Sequence, residues 1–223
     1  MIFKKLYKML VNAFFPARCP YCNEVIFRNE DSCDDCKSKL EYENIITTLY
    51  KSRNVSPFKY SGINKDAVLS FKFNNNPNYS EQFAISMRKA ICDEYSDYLS
   101  TENHFDIITC VPCTKKRYYE RGYNQSQLLA KELSEHFNIN FQPVLIKIKD
   151  TEAQHTLPKD KRKSNVQNVF NINKEYKIAD RTILLIDDIL TTGSTMNECV
   201  NTLYSNGAKI VLCATYATAI SKY

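Results

Sequence analysis

Residues 183–195 have the sequence ILLIDDILTTGST, which carries the strongest fold signal in the chain. Four consecutive aliphatic residues without polar alternation are typical of a strand that is buried on both faces of a parallel sheet. Two aspartates, a threonine-rich turn with one glycine, and a predicted helix at residues 194–205 follow this strand. A strand, a tight loop and a helix N-terminus together direct backbone N–H groups toward an anion. We therefore predict an anion-binding loop beside a pair of carboxylates.

The spacing within this stretch excludes two common nucleotide-binding motifs. It contains neither G-x-x-x-x-G-K-[ST] nor G-x-G-x-x-G, so it is neither a triphosphate P-loop nor a dinucleotide fingerprint. It resembles the 5-phosphoribosyl-1-pyrophosphate (PRPP) motif of type I phosphoribosyltransferases, in which two hydrophobic and two acidic residues precede T-T-G-x-T. Paired carboxylates suit sugar hydroxyls, or a magnesium ion that bridges hydroxyls and phosphate. The alternative, an ordinary buried strand with a polar turn, leaves the adjacent aspartates unexplained.

The length and charge of the chain limit the possible protein classes. Its 223 residues suffice for one main domain and a small appendage, and its net charge of +5 does not by itself indicate nucleic-acid binding. Residues 1–15 are basic and apolar, but Lys8 interrupts the apolar run, so we predict an amphipathic helix and not a secretory signal. No apolar run reaches the length of a membrane span. With nine cysteines and no export signal, we expect a cytoplasmic protein.

Four of the cysteines form two C-x2-C pairs separated by ten residues. This spacing predicts a tetrahedral zinc site. Four thiolates fill the coordination shell, so the zinc is expected to be structural and not catalytic. Acidic residues surround the pairs, which argues against the finger alone binding phosphates. The predicted ligands are Cys19, Cys22, Cys33 and Cys36.

Predicted strands alternate with predicted helices beyond the cysteine-rich segment, which favours an α/β fold with a doubly wound, mainly parallel sheet. Strands are predicted at residues 105–111, 144–148, 182–186 and 209–214. Helices are predicted at residues 65–73, 77–99, 122–137 and 194–205. Residues 37–60 are interpreted as a connection between the finger and this body, with Pro57 marking a turn.

A basic loop is predicted at residues 112–117, directly after the first core strand. Ligands bind at the carboxyl ends of strands in open α/β sheets, so its cationic side chains would suit a pyrophosphate. Residues 149–163 are polar, charged and without periodicity. We interpret them as a surface excursion of the kind that often forms a lid.

Four motifs in a fixed order give the chain a narrower resemblance to the ComF family of competence proteins. The four-cysteine finger comes first and the PRPP motif comes last. Between them lie R-G-[FY]-N-Q and T-x2-Q-x2-L-x4-R-x2-N, represented here by Arg121, Asn124, Gln125, Thr151, Gln154, Leu157, Arg162 and Asn165. The lysine that closes the first body helix also matches, at Lys72. Cys113 and Lys147 depart from the pattern, which usually has proline and arginine there.

This resemblance implies a type I phosphoribosyltransferase fold at residues 49–223, after an N-terminal helix and zinc finger at residues 1–48. It implies PRPP with magnesium as ligands, and displacement of pyrophosphate at the anomeric carbon by an acceptor that the sequence does not identify. Positioning and electrostatic stabilisation around the phosphates would be the main aids to such a phosphoribosyl transfer.

The resemblance also implies roles for individual residues. Asp187 and Asp188 would be the catalytic pair and would hold the ribose hydroxyls. The 5-phosphate would be bound by Thr191, Thr192, Gly193, Ser194 and Thr195. The pyrophosphate would be bound by the loop residues Lys115, Lys116 and Arg117, and Lys72 would be a further PRPP-binding residue.

The biological role of the ComF family is DNA uptake during natural transformation, which implies single-stranded DNA and a helicase-like competence protein as partners. Two alternatives stay open: a salvage enzyme acting on a nucleobase or nucleotide, and a non-catalytic PRPP sensor that binds DNA through a basic surface. The finger and the T-x2-Q motif disfavour the first. The intact Asp187 and Asp188 disfavour the second, for which steep salt dependence of DNA binding would be diagnostic.

Overall fold

The computed structural model of the protein describes residues 16–74, 76–100, 104–148 and 169–220. Several predictions fall outside these ranges. They are the amphipathic helix at residues 1–15, the surface excursion at residues 149–163, and the motif residues Thr151, Gln154, Arg162 and Asn165. Within the described ranges, no helix is both long and apolar enough to cross a membrane.

Among the described residues, eight strands form one large and one small sheet. In chain order they are β1 (Ile45–Thr48), β2 (Arg53–Ser56), β3 (Phe58–Lys59), β4 (Ile107–Cys110), β5 (Leu145–Lys147), β6 (Phe170–Ile172), β7 (Thr182–Leu190) and β8 (Ile210–Thr218). The large sheet has the order β1-β2-β8-β7-β4, with β3 also paired to β8. Its strands are parallel apart from the antiparallel β1–β2 pair. Strands β5 and β6 form a separate antiparallel pair.

Helices cover both faces of the large sheet. In chain order they are α1 (Asp34–Lys37), α2 (Gly62–Phe73), α3 (Tyr79–Glu94), α4 (Lys115–Arg121), α5 (Gln125–Phe137) and α6 (Ser194–Ser205), with a 3-10 turn at Ser96–Tyr98. Helices α2, α3 and α5 pack on one face, and α6 packs on the other together with β5 and β6. Successive residues of β7 pack in different cores: Leu184 lies in the core on one face of the sheet and Leu185 in the core on the other. This explains why the strand has no polar alternation.

The interpretation of residues 37–60 as a plain connection is wrong, because this segment supplies β1, β2 and β3 of the large sheet. The sequence of β2 is polar, and Asn54 and Ser56 are fully buried. Asn54 Nδ2 donates to Ser56 Oγ at 2.9 Å and to Thr215 Oγ1 on β8 at 3.1 Å. Local hydrophobic periodicity cannot reveal such a strand, because its burial depends on partners from a distant strand. The division of the chain at residue 48 stays a prediction, although β1, which ends at Thr48, belongs to the large sheet.

Two boundaries near the predicted site also differ from prediction. Strand β7 continues through both aspartates to Leu190, because Ile189 and Leu190 pair with β8. The predicted basic loop is wrong in part, since Lys115 and the following bases form the first turn of α4. The Thr114 side chain accepts a hydrogen bond from Arg117 N and begins this helix, and Gly122 ends it in the left-handed conformation at φ 79°.

Candidate functional site

A cavity of about 400 Å³ lies at the carboxyl ends of β4 and β7. This is the edge at which the sequence predicted a ligand site. The cavity brings together nine of the predicted site residues, namely Lys72, Arg117, Arg121, Asn124, Gln125, Asp187, Asp188, Thr191 and Thr195. Lys115, Lys116, Thr192, Gly193 and Ser194 lie outside its lining.

The two aspartates of β7 contact side chains of α2 and α5 in the cavity. Asp188 Oδ2 forms an ion pair with Lys72 Nζ on α2 at 3.0 Å. Asp187 Oδ1 accepts hydrogen bonds from Ser126 Oγ on α5 at 2.6 Å and from the Asp188 backbone N–H at 2.9 Å. These contacts place the carboxylates close to a cation and to a hydroxyl that hold them in position. Lys72, which sequence alone would leave as a surface residue, is therefore part of the site.

The protonation of Asp187 is shifted by its surroundings. Burial, and secondly the charge of Asp188, raise the pKa of Asp187 from 3.8 to about 7. The hydrogen bond from Ser126 and the charge of Lys72 act in the opposite direction. A buried carboxyl with a raised pKa, beside a second carboxyl in a cleft, is typical of a functional site.

We expect Asp187→Asn to make the fold more stable above neutral pH. The native carboxyl binds its proton more tightly than the unfolded one, so the free energy of unfolding falls as the pH rises from 3.8 to about 7. Asparagine keeps an Oδ1 that accepts from Ser126 and carries no charge, so the variant should gain on the order of 1–3 kcal/mol at about pH 8. Urea unfolding of both proteins across the pH range tests this. Equal stability at high pH would contradict it, and the two curves should converge toward about pH 4.

A left-handed glycine sets the geometry of the threonine-rich loop. Gly193 has φ 75° and precedes the first turn of α6. A Cβ atom at this position would lie 3.3 Å from Leu49 Cδ2, so a side chain would be both strained and crowded. Thr192 Oγ1 and Ser194 Oγ lie 3.0 Å apart at the mouth of the loop. The loop thus presents hydroxyls and the N-terminal end of a twelve-residue helix to the ligand edge of the sheet.

Cationic side chains also line the cavity. Arg117, Arg121 and Lys147 line it together with Lys72. The Arg121 guanidinium lies 5.0 Å from the centre of the Phe73 ring, and its Nη1 donates to Gln125 Oε1 at 3.2 Å. Four cations beside two carboxylates suit a ligand with several negative charges and neutral hydroxyls.

The sequence reasoning did not predict Lys147 and Ser126 as site residues, although both line the cavity. Lys147 was noted only as a departure from the family pattern, and Ser126 was not singled out. Ser126 directly follows the R-G-[FY]-N-Q motif, so its position was the one available signal. Its contact with Asp187 depends on how α5 packs on β7, which no local pattern shows.

The four predicted zinc ligands form one cluster near the N-terminal end of the described chain. The sulfur atoms of Cys19, Cys22, Cys33 and Cys36 lie within 4.8 Å of one another. Zinc–sulfur bonds of 2.3 Å in a tetrahedron put the sulfurs about 3.8 Å apart, so this cluster fits a closed zinc site. Three of the four cysteines are buried. Such a site has no open position for a substrate.

The cysteine cluster is attached to the body through a chain of hydroxyl contacts. Tyr21, between the first two cysteines, hydrogen-bonds through its hydroxyl to the hydroxyl of Tyr216 on β8. Tyr216 donates to Asn64 Oδ1 on α2 at 3.2 Å. Arg28 Nη1 pairs with Glu81 Oε2 at 2.7 Å, which adds a contact to α3. The cluster and the sheet are therefore packed as neighbours and not joined by a free linker.

Comparison with known proteins identifies both parts of the chain. Residues 124–223 match the family model of a phosphoribosyl transferase domain, and residues 10–46 match that of a double zinc ribbon domain. "Competence protein F" of Haemophilus influenzae is 34% identical over 106 residues, covering 47% of this chain and 46% of that protein. "Competence protein ComFC" of Bacillus subtilis is 28% identical over 175 residues, covering 78% of this chain and 67% of that protein.

The chain is a homologue of the ComF proteins. A third relative, "DNA utilization protein YhgH" of Escherichia coli K12, is 36% identical over 115 residues. The chain matches YhgH over half of that protein's length, 50%, and over 49% of its own. The predicted ComF resemblance is thereby confirmed. The predicted type I phosphoribosyltransferase-like fold with an N-terminal zinc ribbon is also confirmed, by the two domain matches and the mainly parallel sheet.

Proposed function

We propose that this ComF homologue binds PRPP with magnesium in the cavity at β4 and β7, and that it is a phosphoribosyltransferase. One observation carries the proposal: the acid pair, Lys72 and the loop around Gly193 converge on a single cavity at the carboxyl edge of the sheet. The match to a phosphoribosyl transferase domain covers the acid pair and the loop. A PRPP-type ligand has the combination of hydroxyls and phosphates that these side chains can bind.

In this proposal the residues divide the ligand between them. Asp187 and Asp188 bind the ribose hydroxyls and hold magnesium, which would neutralise charge on the pyrophosphate. The loop at residues 191–195 binds the 5-phosphate with hydroxyls and backbone N–H groups. Lys72 and Arg117 bind the pyrophosphate. Of the three bases predicted for that role, Arg117 lines the cavity, while Lys115 and Lys116 do not.

The chemistry follows from these positions. The bond from the anomeric carbon to the pyrophosphate oxygen breaks, and the electron pair leaves with pyrophosphate. The acceptor atom forms the new bond to that carbon and gives its proton to solvent. Cations on the leaving group and carboxylates beside the sugar ring both stabilise the charge separation of the transition state. Isothermal titration of PRPP with magnesium tests the proposal: saturable binding is expected, and the absence of any binding would overturn it.

We further propose that the protein acts in DNA uptake in the cytoplasm and handles single-stranded DNA, with a helicase-like competence protein as partner. The names of the relatives suggest competence and DNA use. An exposed surface around α4 supports this. We call it the α4 surface and define it as Phe73 at the end of α2 together with the α4 residues Lys115, Lys116, Arg117, Tyr118, Tyr119 and Arg121. Tyr119 is 83% exposed and Phe73 is 64% exposed, and α4 has no buried residue. Exposed rings among cations are typical of surfaces on which unpaired bases stack.

We expect Tyr119→Ala to weaken binding of a labelled poly-dT oligonucleotide by about ten- to a hundredfold, because it removes one base-stacking ring. Phe27→Ala is the matched control, since Phe27 is 75% exposed but lies among acidic residues of the ribbon. Fluorescence anisotropy over a range of salt concentrations measures both effects. Equal affinity of the two variants would rule out the α4 surface as the DNA site. Repeating the PRPP titration with and without the oligonucleotide shows whether the two ligands are coupled.

A further inference from the structure

The motif at residues 121–125 contains two residues whose structural roles are clear. Tyr123 donates from its hydroxyl to Phe71 O at 2.6 Å and so fixes the end of α2 that carries Lys72. Asn124 Nδ2 donates to Val111 O at 3.1 Å, which holds the end of β4 against the start of α5. These contacts explain two of the polar side chains in the motif as supports of the cavity wall.

Gln125 is different, because one polar atom of its side-chain amide makes no hydrogen bond to the described residues. Its side chain lines the cavity, and the residue is only 3% exposed. Its Oε1 accepts from Arg121 Nη1 at 3.2 Å, which orients the amide. Its Nε2 has no hydrogen-bond partner among the residues that the structure describes. Buried amide donors are normally satisfied, so an unsatisfied one on a cavity wall points to a ligand acceptor.

The neighbours of Gln125 indicate the chemical class of that acceptor. Arg121, Arg117 and Lys72 line the same cavity, so the local potential favours an anionic oxygen. Arg121 is held from two sides, by the Phe73 ring and by Gln125 Oε1. In the proposed site the loop around Gly193 binds the 5-phosphate. The pyrophosphate is therefore the remaining anionic group of PRPP, and Gln125 and Arg121 would contact it.

We propose that Gln125 is a pyrophosphate-binding residue, donating from Nε2 to a phosphate oxygen, and that Arg121 positions its amide. This inference rests on the proposed PRPP site and adds to it a neutral, directional donor. A neutral donor among cations can distinguish a correctly placed phosphate oxygen from a generally negative charge.

Titration of magnesium pyrophosphate and of ribose 5-phosphate into wild type and variants tests the inference. Gln125→Met keeps the length of the side chain and removes the donor, so pyrophosphate affinity should fall about ten- to a hundredfold while ribose 5-phosphate affinity is unchanged. Gln125→Glu places a negative charge there and should weaken pyrophosphate binding further. Gln82→Met on α3 is the matched control, because Gln82 is 2% exposed and its Nε2 also has no hydrogen-bond partner among the described residues, but Gln82 does not line the cavity. Its affinity for both ligands should equal that of the wild type. Melting temperatures of all variants report on folding.

The outcomes separate this inference from the proposed function. Wild-type binding of PRPP with unchanged pyrophosphate affinity in both Gln125 variants would overturn the inference and leave the PRPP site standing. An equal loss of affinity for pyrophosphate and for ribose 5-phosphate in Gln125→Met would also overturn the inference, since that pattern indicates general disruption of the cavity. Failure of the wild type to bind PRPP and pyrophosphate would overturn both proposals.

Discussion

Replacement of both Asp187 and Asp188 by alanine is expected to abolish PRPP binding and to leave the fold intact. The double variant removes the two carboxylates proposed to hold the ribose hydroxyls and magnesium, so we expect affinity to fall by at least about a hundredfold. The fold should persist because the raised pKa of Asp187 shows that its buried charge is unfavourable in the native state. Isothermal titration with magnesium and PRPP measures the loss, and thermal unfolding followed by circular dichroism checks the fold.

A control with the same chemistry is available on α3. Asp93→Ala with Glu94→Ala also removes two adjacent acids, whose partners are Tyr42 and Arg53 and not cavity residues. This variant should bind PRPP like the wild type. Retained PRPP binding in the Asp187 and Asp188 double variant would refute the assignment of the site. Loss of binding in both variants would instead indicate a non-specific effect of removing negative charge.

Removal of zinc is expected to lower the melting temperature of the whole chain by about 10 °C or more. Tyr21 sits between the ligands Cys19 and Cys22, and its hydroxyl contacts that of Tyr216 in the core of the sheet. Because Tyr216 donates to Asn64 Oδ1, Tyr21 is the donor to Tyr216. Loss of the metal would release the segment between Cys19 and Cys22. The buried oxygen of Tyr216 would then lose its donor, and the stacked Phe83 ring beside it would become exposed.

Thermal unfolding with a strong chelator, followed by addition of zinc, measures this effect. Cys36→Ser should reproduce the loss of stability, while Cys92→Ser is the control, since Cys92 lies on α3 outside the cluster. An unchanged melting temperature in zinc-free protein would show that the ribbon does not stabilise the body. Tyr216→Phe should retain zinc and lower the free energy of unfolding by about 1–3 kcal/mol, which would assign part of the effect to the hydroxyl contacts.

Local patterns predicted the elements whose signals lie within a few neighbouring residues. The predicted helix at residues 194–205 has the observed bounds of α6, because Gly193 and Gly207 mark its two ends in the sequence. The aliphatic run of β7 identified a strand buried on both faces. The two C-x2-C pairs predicted a cysteine cluster that the structure brings together. In each of these cases the physical requirement is satisfied by residues close in sequence. Examples are a left-handed turn at a helix end and the short spacing between two metal-binding thiolates.

The tertiary structure alone decided which side chains meet. Asn54 belongs to a buried strand only because its amide reaches Thr215, 161 positions away. Lys72 and Ser126 become site residues through contacts with the aspartates of β7, which require α2 and α5 to pack on the same face. Successive residues of α4 point about 100° apart, so the fold turns Arg117 into the cavity and Lys115 and Lys116 away from it. The sequence by itself thus determined the chemistry available to this protein, and packing between distant elements determined which groups can act together.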